Sequence, residues 1–242
     1  MDVFILCLAA VALLFTSYSI IPTIAIRVSG KEITKRIKGQ KGIALTFDDG
    51  PHPEFTIMLL DLLKRYRVKA AFFVVGHKAE KYPEIIRRMH QEGHVIGIHH
   101  YQHVSNWSIT PFQLKKQMNR TQKVIRRLTG KRTCFYRPPW GHFNLFTNQI
   151  AKDYEIVIWS HIFGDWKAER SEHTLLRDLR QVPDDGSIIL LHDCGETIGA
   201  DENAPKYMIE NLEVFLKESV KEGRQFITLE TSNMDRRGHY EH

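Results

Sequence analysis

The sequence predicts an α/β fold built on a mainly parallel sheet and preceded by one apolar N-terminal helix. Three observations carry this. Short β-type runs alternate with amphipathic helical stretches from Gly42 onward. Residues able to do chemistry follow those runs. A 24-residue stretch, Val3 to Ile26, has no charged side chain. Strands alternating with helices give a parallel sheet. A closed or nearly closed barrel and an open doubly wound sheet both satisfy the pattern, and both gather ligands at the carboxyl ends of the strands.

Taken in order, the first element is the apolar leader. At about 1.5 Å per residue it is long enough for a bilayer core of about 30 Å. A cleaved signal peptide normally has basic residues ahead of the apolar run, and here only Asp2 stands there. An uncleaved anchor over residues 1–28 is therefore expected, with a basic juxtamembrane linker over 29–41. Arg27, Lys31, Lys35, Arg36, Lys38 and Lys41 against Asp2 and Glu32 put +4 of the chain's +6 in residues 1–41. That bias places the following domain in the cytoplasm, unless the cluster is a solvated linker or rests on anionic lipid from outside. The rest is nearly neutral, so no nucleic-acid partner is indicated.

The candidate strands are Ile43–Phe47, Ala71–Val75, Val95–Ile98, Thr133–Tyr136, Ile156–Trp159, Ser187–Leu191 and Phe226–Leu229. Between them, Phe55, Met58, Leu59, Leu62, Leu63 and Tyr66 form one apolar stripe at helical spacing. Pro83 starts a helix that Gly93 follows, and Thr110-Pro111 starts a long one that Gly130 stops. Asn203–Glu222 closes the series. The folded domain spans 42–230, with a polar tail over 231–242. At 242 residues, 43% hydrophobic and 26% charged, the chain is neither disordered nor low in complexity. Three cysteines make no disulfide framework; a Cys134–Cys194 bridge is the one conceivable pair, and three thiols are the simpler expectation.

Five clusters follow the strands. Asp48-Asp49-Gly50-Pro51 puts two adjacent acids at the mouth of a buried strand, where a cation would neutralise them; an Asp-Gly turn with solvated acids is the plain alternative. His99 and His103 are spaced i, i+4, which on a helical turn gives two imidazoles one face. Two His and one carboxylate leave open positions, as catalytic metal sites do. His100 points elsewhere and receives no ligand role. Arg137-Pro138-Pro139-Trp140-Gly141 offers a rigidly held guanidinium that can keep a carboxylate ionised. Gly164-Asp165-Trp166 and Leu190-Leu191-His192-Asp193 add an acid beside an indole and an imidazole at a strand end. Each alone reads equally as ordinary structure; all five at one end of a parallel sheet do not.

These residues resemble, in order, the five motifs of the polysaccharide deacetylase family (carbohydrate esterase family 4, the NodB homology domain): TFDDGP at 46–51, HHYQH at 99–103, RPPWG at 137–141, DW at 165–166 and LLH at 190–192. The resemblance covers roughly Gly42 to Leu229. It implies a distorted (β/α) barrel of about seven parallel strands and a hydrolase removing N-linked acetyl groups from N-acetylated amino sugars. It also implies roles. Asp49, His99 and His103 would bind a divalent metal, usually zinc, with cobalt, manganese or nickel as alternatives. Asp48 would be the base, oriented by Arg137, and His192 the acid, tuned by Asp165. The Trp140 N–H would meet the oxyanion, while Trp166 and Leu190 would shape the acetyl pocket. His100 stands where Ser or Thr is usual, Ile98 where Asn is often found, and Trp140 where Tyr is common; these departures bear on substrate choice more than on hydrolysis. The expected partners are an N-acetylated amino-sugar polymer or oligosaccharide and the membrane. A cytoplasmic or lipid-linked amino sugar, acetylated or formylated, is the alternative substrate. A non-catalytic carbohydrate-binding protein on the same fold is the alternative function.

Overall fold

The structure, a computed structural model, describes residues 3–229; the expected tail over 231–242 lies outside them. Eight strands form one curled, all-parallel sheet: β1 (Ile33–Thr34), β2 (Ile43–Asp48), β3 (Ala71–Val74), β4 (Val95–Ile98), β5 (Phe135–Tyr136), β6 (Glu155–Val157), β7 (His161–Ile162) and β8 (Ser187–His192). Their order is β1-β6-β5-β4-β3-β2-β8-β7. The barrel-like reading with parallel strands holds, with two short strands more than the sequence pattern showed at the edges. Phe226–Leu229, expected as a strand, contributes only an isolated parallel bridge from Phe226 to Ile43.

Period-two alternation with both faces apolar explains why the central strands are buried throughout. On β2, Ile43, Leu45 and Phe47 belong to the large cluster formed with the surrounding helices, while Ala44 faces a second cluster inside the curl with Ile37, Phe73, Val157 and Ile188. Parallel sheets covered on both sides read this way. The helices fall close to their sequence signals: Phe55–Arg65, Pro83–Gln91, Pro111–Thr129 and Ala204–Lys221. Pro111–Thr129 opens with a capping box between Thr110 and Gln113 and ends on Gly130 at φ 73°.

Residues 29–41, expected as a linker, take part in the fold. They carry β1 and the fully buried Ile37. Arg36 bridges to Ser187 in antiparallel fashion, and Ile37 N–H donates to the Gly186 carbonyl at 2.8 Å. This crossing ties the segment after β1 to the start of β8. A side chain at Gly186 would meet the Ile37 carbonyl at 2.0 Å, so this close approach requires glycine.

The apolar leader is one helical stretch, Val3–Ser29, long and apolar enough to cross a membrane, with a π-helical turn at Thr16–Ile20. Its first part is exposed. Beyond Tyr18 it packs on the domain, and Ser19, Pro22 and Thr23 are buried.

Candidate active site

The β2–β8 register sets the site. The strands pair from Ile43 opposite Ser187 to Asp48 opposite His192. Neighbouring parallel strands lie about 4.8 Å apart, so these two side chains leave the sheet side by side. Directly beneath, Arg137 is fully buried. It donates to Asp48 Oδ1 at 2.7 Å, to Thr46 Oγ1 at 2.9 Å and to the Val157 carbonyl at 3.1 Å. Its guanidinium lies 4.0 Å from the centre of the Phe73 ring. Gly97 makes room for that ring, since a Cβ there would sit 2.5 Å from it. Burial lowers the Arg137 pKa and Asp48 opposes the shift; a guanidinium stays charged regardless.

Asp49 turns away from Asp48 because its backbone is left-handed, at φ 77°. Its Oδ1 lies 3.1 Å from His103 Nε2 and 3.4 Å from His99 Nε2, yet accepts no hydrogen bond. His99 Nδ1 lies 2.8 Å from the Arg137 carbonyl. A carbonyl only accepts, so the proton sits on Nδ1 and Nε2 keeps its lone pair. One ligand atom from each of Asp49, His99 and His103 lies within 4.8 Å of the others. A buried, unbonded carboxylate oxygen converging with such imidazole nitrogens is a donor set that suits a divalent cation. Burial alone would raise the Asp49 carboxyl, but His103 and His99 hold it well below the usual carboxylate range.

The helical turn expected for His99 to His103 is absent: the segment is an irregular loop after β4, with His100 at φ 65°. That left-handed residue, rather than helical spacing, brings the two rings to 5.0 Å between centroids. His100 is buried on the other side. Its Nδ1 faces the Val104 carbonyl at 2.9 Å and its Nε2 the Tyr136 hydroxyl at 2.8 Å, so both ring nitrogens are committed.

Across the cavity, Asp165 accepts from the His192 backbone N–H at 2.6 Å and faces His192 Nδ1 at 3.1 Å. Burial would depress the His192 imidazolium. The Asp165 carboxylate, with Asp49 and Asp48 behind it, reverses this and lifts its pKa to about 9. Trp166 meets the His192 ring edge-on at 5.4 Å. Trp140 has φ 55° and packs edge-on against His103 at 4.2 Å. His192, Trp166, Trp140, His103 and Leu190 line one cavity of about 330 Å³.

All ten residues singled out from the sequence therefore meet at one strand-end mouth, Arg137 and Asp165 from just behind its wall. Arg27, Trp159 and the rim 197–200 were not anticipated there. Trp159 ends a candidate strand, so the strand-end rule could have found it. Arg27 had no such signal, because it reads as the flank of an apolar helix.

Cys7, Cys134 and Cys194 are thiols; no Cys134–Cys194 bridge forms.

A parallel α/β sheet with a carboxylate–imidazole set at its carboxyl-end mouth defines a barrel-like protein whose site is suited to a divalent cation and to proton transfer. Residues 35–159 match the family described as polysaccharide deacetylase, and the chain belongs to that family. A Bacillus cereus peptidoglycan-N-acetylglucosamine deacetylase is 35% identical over 193 residues, covering 77% of this chain and 66% of that protein. The Bacillus subtilis peptidoglycan-N-acetylmuramic acid deacetylase PdaC is 38% identical over 159 residues, 65% of this chain and 33% of its own length. The chain thus spans two thirds or less of these relatives. The crystal structure of the Bc1960 peptidoglycan N-acetylglucosamine deacetylase superposes with a TM-score of 0.73 at 31% identity, covering 86% of this chain and 95% of that one.

Proposed function

We propose that this protein is a membrane-anchored, metal-dependent N-deacetylase of N-acetylated amino sugars, with peptidoglycan glycan as its substrate and its catalytic domain outside the cytoplasm. The observation that carries the reading is the pairing of two carboxylate–cation systems across one cavity, Asp48–Arg137 and His192–Asp165, beside the Asp49–His99–His103 donor set. The relatives' names support the substrate class.

Asp49, His99 and His103 would hold the cation. When bound, a divalent ion such as zinc supplies water activation and Lewis-acid polarisation of the amide carbonyl. Asp48, held in place by the Arg137 guanidinium at 2.7 Å, takes a proton from the attacking water. The Trp140 backbone N–H donates to the developing oxyanion. His192, protonated and oriented by Asp165, gives its proton to the amide nitrogen as the C–N bond breaks, so acetate and a free amine leave. Leu190 and Trp166 flank the acetyl methyl. A carboxylate to take one proton and an imidazole kept protonated to give another are what amide hydrolysis needs near neutral pH.

Of the six basic residues that favour a cytoplasmic domain, Arg36 pairs with Asp185 and the Lys35 ammonium meets the Arg27 carbonyl. Their presence therefore has a folded-state reason besides topology, which supports the outside placement. Protease protection of intact cells checks it: a shielded domain would favour the cytoplasmic or lipid-linked amino sugar instead.

The test is acetate release by zinc-loaded full-length protein in detergent, with peptidoglycan and N-acetylglucosamine oligomers, beside Asp48→Asn. The variant should lose roughly 10²–10⁴ in turnover while its zinc content stays unchanged. Equal activity in both proteins would remove Asp48 as base. No release from either would point first to a lipid-linked or formylated amino sugar, and to the carbohydrate-binding alternative if those also failed.

A further inference from the structure

The N-terminal helix is built into the catalytic domain rather than tethered to it. Tyr18 Oη donates to the Ile109 carbonyl at 2.8 Å, and Leu145 N–H donates back to the Tyr18 carbonyl at 2.9 Å. Ser19 Oγ donates to the Trp107 carbonyl at 3.1 Å. Thr23 is the centre of the joint: its Oγ1 lies 2.8 Å from the Phe143 carbonyl and accepts from Trp107 Nε1 at 2.8 Å and Phe143 N–H at 2.9 Å. Buried side-chain bonds of this number set the helix's rotation as well as its position. That rotation carries Arg27, one turn further on, into the wall of the catalytic cavity.

Arg27 is an unusual occupant there. Its guanidinium lies 5.2 Å from the centre of the Trp159 ring, the same indole that Arg137 approaches at 5.9 Å. Arg137 is matched by Asp48. Arg27 makes no ion pair among the described residues. A cation–π contact with an indole helps to place a guanidinium and uses none of its N–H donors. A half-buried guanidinium without an ion-pair partner can recognise a carboxylate or phosphate through two parallel hydrogen bonds.

Resting on the N-deacetylase reading above, we propose that Arg27 is a specificity-determining residue contributed by the membrane helix, and that the substrate is an N-acylated amino sugar bearing an anionic group close to the scissile amide. Arg27 lines the same cavity of about 330 Å³ as Asp48, Asp49 and His192, so an anion one or two ring atoms from an amide held at those residues would face it. The anion is a carboxylate on the sugar ring or a phosphate at its reducing end.

The experiment uses the full chain in lipid nanodiscs, loaded with zinc. Three substrates are compared: a disaccharide containing N-acetylmuramic acid, N-acetylglucosamine 1-phosphate, and a neutral N-acetylglucosamine oligomer. For Arg27→Gln the ratio of kcat/KM on one anionic substrate to that on the neutral oligomer should fall about tenfold, mainly through KM, as loss of one charge-assisted contact predicts. Arg27→Lys should recover part of the ratio. Whichever anionic substrate responds identifies the anion. An unchanged ratio overturns the proposal, as does wild-type preference for the neutral oligomer; either leaves the deacetylase reading standing. Failure of the wild type on all three removes both.

Discussion

At the scale of single residues, the site is a set of charge assignments made by neighbours. The Arg137 carbonyl puts the His99 proton on Nδ1, and so leaves Nε2 free to act as a ligand. Replacing His99 and His103 together by Ala should abolish zinc uptake, measured by elemental analysis of the folded variant; retained stoichiometry would move the metal elsewhere. The His192–Asp165 pair makes a pH prediction. A raised imidazolium pKa means the acid form persists below it and is lost as pH rises through it, here about 9. A cation against Asp49 weakens the share owed to Asp49 and Asp48 but leaves that of Asp165. The alkaline limb of kcat should therefore lie above the ordinary histidine range, and Asp165→Asn should move it to lower pH. A pH–rate profile of the two proteins reads this directly.

Elements explain why these residues converge. Parallel register places Asp48 beside His192, and left-handed backbone at Asp49 and His100 sends neighbouring side chains to different tasks. The interior of the curl supports them: Gly97 admits Phe73, and Phe73 carries the Arg137 guanidinium. Gly97→Ala should press on that ring and cost about 1–3 kcal/mol, as overpacking does. Its signature is a lower Tm together with lower kcat, because Arg137 shifts with the ring. A lower Tm with unchanged kcat would show that the ring does not position the arginine.

For the whole molecule, the consequence is that the N-terminal helix from Tyr18 on, the connecting segment and the parallel-sheet domain are one packed unit. Ile37 is fully buried inside the curl although it lies in the stretch expected as a linker. Ile37→Ala should cost about 2–5 kcal/mol, the range for large-to-small changes in a core. Urea unfolding of the full chain in detergent measures it; a change under about 1 kcal/mol would mean that the segment is not part of the core. A soluble fragment beginning after residue 38 would lack β1, Ile37 and Arg27. Full-length protein is therefore the proper material for activity measurements.

By itself the sequence determined the parallel α/β class, the order of the main strands and helices, and ten of the residues that gather at the site. Those features are local: a period-two apolar run, a proline at a helix start, or an acid pair just past a strand can each be read within a few positions. Tertiary structure decided what depends on distant partners. It made Ile33–Thr34 and His161–Ile162 edge strands, since two residues carry no periodicity and pair only where a neighbouring strand offers its free edge. It replaced helical spacing by a left-handed turn at His100, because Val104 and Tyr136 bind that imidazole on the far side. It also brought Arg27 to the cavity, because hydrogen bonds from Trp107, Phe143 and Leu145, each more than 80 positions away, orient the helix that bears it.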